Sequence, residues 1–290
     1  MIRLILVLTV FLGLSCVSDF QQNELIVCGG KEVFIIDTED PAKEKIWSWT
    51  AAESDGIPQK YKGSFNSTDE CKSIKNGKEI LIASSGGGVA LVRRADKKVL
   101  FYGYVRNAHS AEILPGNRIA VAGSVGGDCL TVFEVGKPDQ PLYSTSLPKG
   151  HGAVWDVKRK LLYALAYEHL HIYQLKNWES SKPELTLNKK IRLPDIWGHD
   201  LFELPGSEKL ILTTEHHSWF FDRADNSIAP FKAIYDLKDV KGVSPNPVNG
   251  KTVYTKGDGG HWWTDTIRFL DGSEFKLPGE RIYKVRWVRN

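Results

Sequence analysis

Apolar residues along this chain come in short bursts rich in β-branched and aromatic types, and Gly, Pro, Asn or Asp closes each burst roughly every 8–12 residues. Beyond the first fifteen residues no stretch sustains the period of an amphipathic helix. The pattern predicts an all-β chain. Three stretches repeat one design: NAHSAEILPGNRIAVAG (107–123), KGHGAVWDVKRKLLYAL (149–165) and WGHDLFELPGSEKLILTT (197–214). In each, a histidine precedes a short apolar strand, a polar turn follows, and a second β-rich run begins. His109, His151 and His199 thus hold one position in consecutive repeats, 42 and 48 residues apart.

The turn glycine sets the phase elsewhere. Gly116 follows His109 by seven residues, Gly206 follows His199 by seven, and Gly77 follows Glu70 by seven. That spacing makes Glu70 the first-repeat equivalent. The fifth repeat then places Lys241 to Val243 at the position, and the sixth places Lys284 near it. LVRRAD (91–96) and FFDRAD (220–225), 129 residues apart, support the same phase. The last repeat ends after one strand, whereas the chain begins with three strands, ELIVCGG, KEVFIID and EKIWSWTA, that lack a first partner. Pairing the C-terminal strand with these three closes a six-bladed β-propeller and removes the open sheet edges. A unit of about 44 residues suits a four-stranded blade. A β-sandwich would leave the constant histidine phase unexplained.

The apolar run MIRLILVLTVFLGLS is too short for a mature spanning helix and reads as a secretory signal. Residues 1–15 are therefore expected to be a signal peptide, 16–23 a tether, and 24–290 a single propeller domain. Cys16 after Leu14-Ser15 resembles a bacterial lipobox, in which the cysteine is lipidated. The alternative is an ordinary cleaved signal. Cys28, Cys71 and Cys129 sit in apolar strand patterns, imply no disulfide framework, and fit no zinc motif. The net charge of +3 is interspersed, without the basic tract that nucleic acid requires. The expectation is an exported monomer, anchored through lipid at the periplasmic or outer face of a bacterial membrane.

In a propeller the first strand of each blade lines the channel, and the turns between second and third strands share its entry face. That geometry gathers Glu70, His109, His151, His199, Lys241 and Lys284 with a second set that includes Glu168-His169, Glu215-His216-His217 and Asp258 to Trp263. Seven of the eight histidines fall in these sets. Three imidazoles and the Glu70 carboxylate would suit Mn, Fe, Zn or Ni. Metal-free catalytic histidines and structural polar plugs are the alternatives. Lys241 or Lys284 could bind an anionic group, and Lys241 could act as a base. In GDGGHWWTDTIRF (257–269), Trp262 and Trp263 offer stacking faces, of which strand alternation lets at most one face a ligand.

DECK, SSGGGVALV, NAHSAE, HGAVWD, GHDL and WWTDTIRFLDG together resemble an uncharacterised family of bacterial exported six-bladed propellers. More distantly, histidines around a propeller axis are similar to those of oligogalacturonate-lyase-type enzymes, where the resemblance implies a histidine-held Mn that binds a uronate carboxylate. The function expected is a metal-dependent carbohydrate-active enzyme, a lyase on uronosides or keto-sugars, with a metal-assisted glycoside hydrolase as the nearest variant. His216, His217, His261 or Lys241 would be the base, and Trp262, Trp263, Lys284, Glu215 and Asp258 would contact substrate. The alternative is a non-catalytic, lipid-anchored propeller that binds a glycan or a protein.

Overall fold

The computed structural model describes residues 22–289. The signal at 1–15, the lipidation candidate Cys16, and all but the last two residues of the tether lie outside them. Among the described residues no helix is long and apolar enough to cross a membrane. Six four-stranded antiparallel sheets form the six blades of a β-propeller. Their inner strands are Thr68–Ile74, Ala108–Leu114, Gly152–Asp156, Asp200–Glu203, Val240–Pro245 and Lys284–Trp287, for blades 1 to 6 in that order. Closure follows the expected route: Lys284–Trp287 pairs with Glu24–Cys28, matching Leu25 to Trp287 and Cys28 to Lys284.

The apolar residues collect in six clusters, one between each pair of adjacent blades. Blades 1 and 2, for example, share Leu81, Val89, Leu91, Phe101, Ala108, Val121 and Phe133. Blade 6 meets blade 1 through Ile26, Ile35, Trp49, Cys71, Ile80 and Ile82. Strand alternation sends one row of each blade to each neighbour. Burying a Leu, Ile or Phe side chain contributes about 1.5–3 kcal/mol, so the stacked faces hold the ring together. The segment after blade 6 forms a short helix, Gln59–Lys62, and a 3-10 turn, Gly63–Phe65. Phe65 packs edge-on against Trp49 at 5.5 Å, and Tyr61 stacks on Tyr104 at 6.0 Å. This segment fastens the outer rim where the ring closes.

The channel is blocked below its entry face by buried charges. Arg286, on the closing strand, reaches across the axis to two other blades. It donates to Glu70 at 2.9 and 3.1 Å and to Asp200 at 2.9 and 2.6 Å. Lys284 Nζ lies 3.2 Å from Asp200 and 3.7 Å from Glu70. Two cations therefore face two carboxylates. Burial pushes the Asp200 and Glu70 carboxyls up, but Arg286 and Lys284 outweigh it and hold both below the usual carboxylate range. Glycines make the room: a Cβ at Gly242 would sit 3.0 Å from the Lys284 side chain, and one at Gly152 only 2.5 Å from Leu201.

Replacing Arg286 by Met would strand two buried carboxylates beside a single cation. The expected cost is about 3–5 kcal/mol, the range for breaking a buried ion pair by removing one partner. A lower urea midpoint at unchanged m-value is the readout, and a midpoint like that of the parent would mean that water reaches the cluster.

Candidate functional site

Six residues crown the channel, one from each blade: Asp69, His109, His151, His199, Lys241 and Tyr283. They line the mouth of a cavity of about 320 Å³, together with Trp197, Trp262 and several Ser and Asn side chains. Each arrives by one of two routes. In blades 1, 2 and 5 the crowning residue is itself a bulge. The pairing skips from Thr68 to Glu70 around Asp69, from Ala108 to Ser110 around His109, and from Val240 to Gly242 around Lys241. A bulged residue leaves the ladder and re-aims its side chain. In blades 3, 4 and 6 it stands just ahead of the first paired residue, which is Gly152, Asp200 or Lys284.

These registers correct the glycine phase. Ser110 pairs with Ala122 but Glu70 pairs with Ala83, so the first hairpin of blade 1 holds one more residue than that of blade 2. Asp69, not Glu70, is the equivalent of the histidines. Tyr283 likewise takes the place assigned to Lys284. Glu70 and Lys284 lie one layer deeper in the ion cluster, with side chains 1% and 0% exposed, and neither reaches a ligand at the mouth.

A second device repeats two residues upstream. Asn107, Lys149, Trp197 and Asp239 all adopt left-handed backbone, with φ of 54°, 47°, 54° and 63°. For a residue as bulky as Trp197 this conformation carries strain, which clusters where function demands a fixed geometry. The turn delivers a carbonyl to the ring it precedes. His109 Nδ1–H donates to the Asn107 carbonyl at 3.0 Å, and His151 Nδ1–H to that of Lys149 at 2.9 Å. Both imidazoles thereby leave Nε2 as the acceptor. The rings pack edge to face, with centroids 4.4 Å apart for His109 and His151 and 5.7 Å for His151 and His199. Burial, reinforced by the neighbouring His109 and His199, pushes the His151 pKa well down. Burial also lowers that of His199, against the opposing pull of Glu215.

His199 differs from its two neighbours. Its Nδ1 is buried without a partner. Its Nε2 lies 3.2 Å from Glu215 Oε2, 3.8 Å from Asp239 Oδ1 and 3.3 Å from Lys241 Nζ. Lys241 also donates to Asp239. Among the described residues, His199, Glu215 and Asp239 are the one group of metal-type side chains whose donor atoms all lie within 4.8 Å of one another. The expected set of three histidines plus Glu70 does not assemble: the edge-to-face rings spread their nitrogens, and Arg286 occupies both Glu70 oxygens.

The other expected residues are distributed as follows. Lys241 and Trp262 line the cavity. Glu215 reaches His199 from the second-to-third-strand turn of blade 4. His216 is turned aside onto Asp195 at 3.1 Å, and His217 stacks on Tyr235 at 4.4 Å and donates to its carbonyl. His261 stacks on Trp263 at 4.7 Å. None of these three lines the cavity, because Asp195, Tyr235 and Trp263 claim their rings. Trp263 is covered by His261 and by Arg281 at 5.3 Å, leaving Trp262, 44% exposed, as the one of the pair that faces the mouth. Asp258 is tied to Thr264, Arg268 and Lys256 within its own turn. Asp69, Asp239, Tyr283 and Trp197 were not anticipated. Asp239 was within reach, since it stands two residues before Lys241 as Asn107, Lys149 and Trp197 stand before their histidines.

The architecture is that of a six-bladed propeller with a blind, histidine-crowned mouth. A family described as a family of unknown function, DUF6528, matches residues 21–290, and the chain belongs to it. No curated protein matches it by sequence. Among solved structures it is similar to a chain of a nidogen/laminin complex, with a TM-score of 0.61 and 13% identity over 91% of this chain and 97% of that one. A chain of a mitotic checkpoint complex gives 0.57 and 12% identity, covering 81% and 69%. A chain of Kuenenia stuttgartiensis hydrazine synthase gives 0.52 and 13%, covering 73% and 66%. At these identities the likeness is one of fold.

Depressed histidine pKa values set a sign for pH dependence. The unfolded chain protonates its histidines near pH 6.5, while folded His151 resists. Stability is therefore complete above that pH and declines as pH falls below it. Asp69, raised by burial, works in the opposite direction at lower pH. The difference in Tm between parent and His151→Gln isolates the histidine. It should shift in favour of the variant between pH 7 and pH 5, and a constant difference would contradict the assignment.

Proposed function

We propose that the channel mouth is the active site of a metal-dependent carbohydrate-active enzyme. The reaction is abstraction of a proton next to a carboxylate or ketone on a sugar, followed by β-elimination. One observation carries this reading, the conflict at His199 Nε2. A protonated Nε2 satisfies Glu215 but opposes the Lys241 ammonium, whereas a bare Nε2 satisfies Lys241 and opposes Glu215. His199 Nε2, Glu215 and Asp239 would hold a divalent cation, which would settle the conflict and leave Lys241 for the ligand. One imidazole and two carboxylates suit Mn, Fe or Zn.

A metal held there would supply Lewis acidity toward the sugar carboxylate or ketone. Lys241, released from Asp239, stabilises the charge that develops there. His151, neutral and with Nε2 bare, accepts the proton from the adjacent carbon. The electron pair left behind forms the carbon–carbon double bond as the bond to the leaving oxygen breaks. The imidazolium formed at His151 gives that proton to the departing oxygen, and Asp69, its Oδ1 3.8 Å from His109 Nε2, lies in the same ring of residues. Trp262 gives the sugar ring a stacking face. A cavity of about 320 Å³ suits one sugar residue of a ligand. The apolar run at residues 1–15 and the lipobox-like Cys16 support export and lipid anchoring at a bacterial membrane, with residues 24–290 as a monomeric domain.

Metal content by mass spectrometry on the purified full chain tests the reading. Stoichiometric Mn, Fe or Zn is expected in the parent and in His109→Ala. It should be lost in His199→Ala and in Glu215→Gln/Asp239→Asn with circular dichroism unchanged. A parent that takes up no ion after incubation with each would overturn it, and a non-catalytic binding propeller would replace it.

A further inference from the structure

A second depression adjoins the mouth, on the seam between blades 5 and 6 and the start of blade 1. It measures about 550 Å³ and shares Ser67 and Trp262 with the mouth cavity. The two are thus halves of one trough, with the Trp262 indole between them. Tyr283 holds that indole edge to face at 5.8 Å. The floor beyond Trp262 is nearly bare backbone: a Cβ built on Gly30 or Gly279 would meet nothing within 4 Å. Gly29 is fixed by the opposite constraint, since a Cβ there would come within 2.1 Å of the Arg281 carbonyl. Chain and floor are pressed together, which keeps the trough shallow and open.

The walls are charged, but the charges are not equivalent. Glu32 and Glu280 are both held by Lys45, at 2.7 Å each. Lys31 and Arg281 enter no ion pair among the described residues, and Arg281 is only propped against the face of Trp263. The trough therefore offers two uncommitted cations outside the mouth and Lys241 inside it, joined across an exposed indole. One stacking face set between cations matches a chain of acidic sugars, in which each ring carries one carboxylate. Lys31 and Arg281, both outside any ion pair among the described residues, favour an acidic ligand over an apolar peptide.

Resting on the reading of the mouth as a carbohydrate site, we propose that the protein takes a uronate oligosaccharide rather than a single sugar. The reacting residue occupies the mouth, the next stacks on Trp262, and those beyond lie along the trough with their carboxylates on Arg281 and Lys31. The trough is the specificity determinant for chain length and charge.

Calorimetric titration of the metal-loaded full chain carrying His151→Gln, which lacks the base and so leaves the ligand uncleaved, tests this with galacturonate and mannuronate oligomers of one to four residues, and with neutral gluco-oligomers of equal length as controls. Affinity should rise roughly tenfold from monomer to dimer and again to trimer, about 1.4 kcal/mol per step. Lys31→Ala/Arg281→Ala should abolish the gain beyond the dimer and leave the monomer unchanged, and Trp262→Ala should abolish the first step. Length-independent binding of the acidic series, or equal binding of the neutral series, overturns the trough while the mouth reading stands. Failure of every oligomer to bind the metal-loaded chain overturns the trough as well. A chain that takes up no metal fails at the earlier reading instead.

Discussion

One guanidinium ties the ring to itself. A closed array of sheets is only as strong as its seam, and here a single short strand, Lys284–Trp287, completes the last blade. Its backbone ladder joins it to Glu24–Cys28, while its Arg286 side chain reaches past the axis to Glu70 of blade 1 and Asp200 of blade 4. The strand is thus held along the seam and across the ring. The same contact seals the channel, so that the mouth above it is a pocket with a floor instead of a through-passage. Buried ion clusters are weak contributors to net stability, but they are unforgiving of misregistration. A closing strand slipped by one residue would put Tyr283 or Val285 where a cation is required.

Above that floor, the site is built by repetition with variation. Four successive blades enter the channel through a left-handed residue, and the crowning side chain follows two positions later. In blades 2 and 3 the strained turn spends its carbonyl on a histidine and fixes the tautomer. In blade 4 the turn residue is Trp197, His199 receives no such bond, and its Nδ1 is left alone. In blade 5 the turn residue is Asp239, whose carboxylate comes to His199 and Lys241. The departures from the repeat therefore fall in adjacent blades, and together they create the one donor cluster of the mouth.

The repeat, its count and its closure could be read from the chain, because apolar alternation and turn chemistry are local and every blade obeys them. His109, His151 and His199 stood out for the same reason. Turn length, however, is not constant from blade to blade. One added residue in the Lys75–Lys78 hairpin shifted Glu70 into the position that belongs to Asp69. A one-residue slip along a strand exchanges what faces the mouth for what faces the axis. Lys284 stood in for Tyr283 on the same kind of error. His216, His217 and His261 lie on the right face, but Asp195, Tyr235 and Trp263 hold their rings away from the cavity, and such pairings leave no trace in spacing.

By itself, then, the sequence determined the all-β class, the six-fold array, the pairing of its two ends and the histidine phase, all of which follow from nearest-neighbour rules along the chain. The tertiary structure alone decided which side chains converge. Glu70, Asp200 and Arg286 come from blades far apart in the chain and meet only because the ring closes. His199, Glu215, Asp239 and Lys241 meet only because a bulge in one blade faces an unpaired entry turn in the next. Local propensity sets each strand. The curvature of the closed ring sets the distances between them, and no window of sequence contains that curvature.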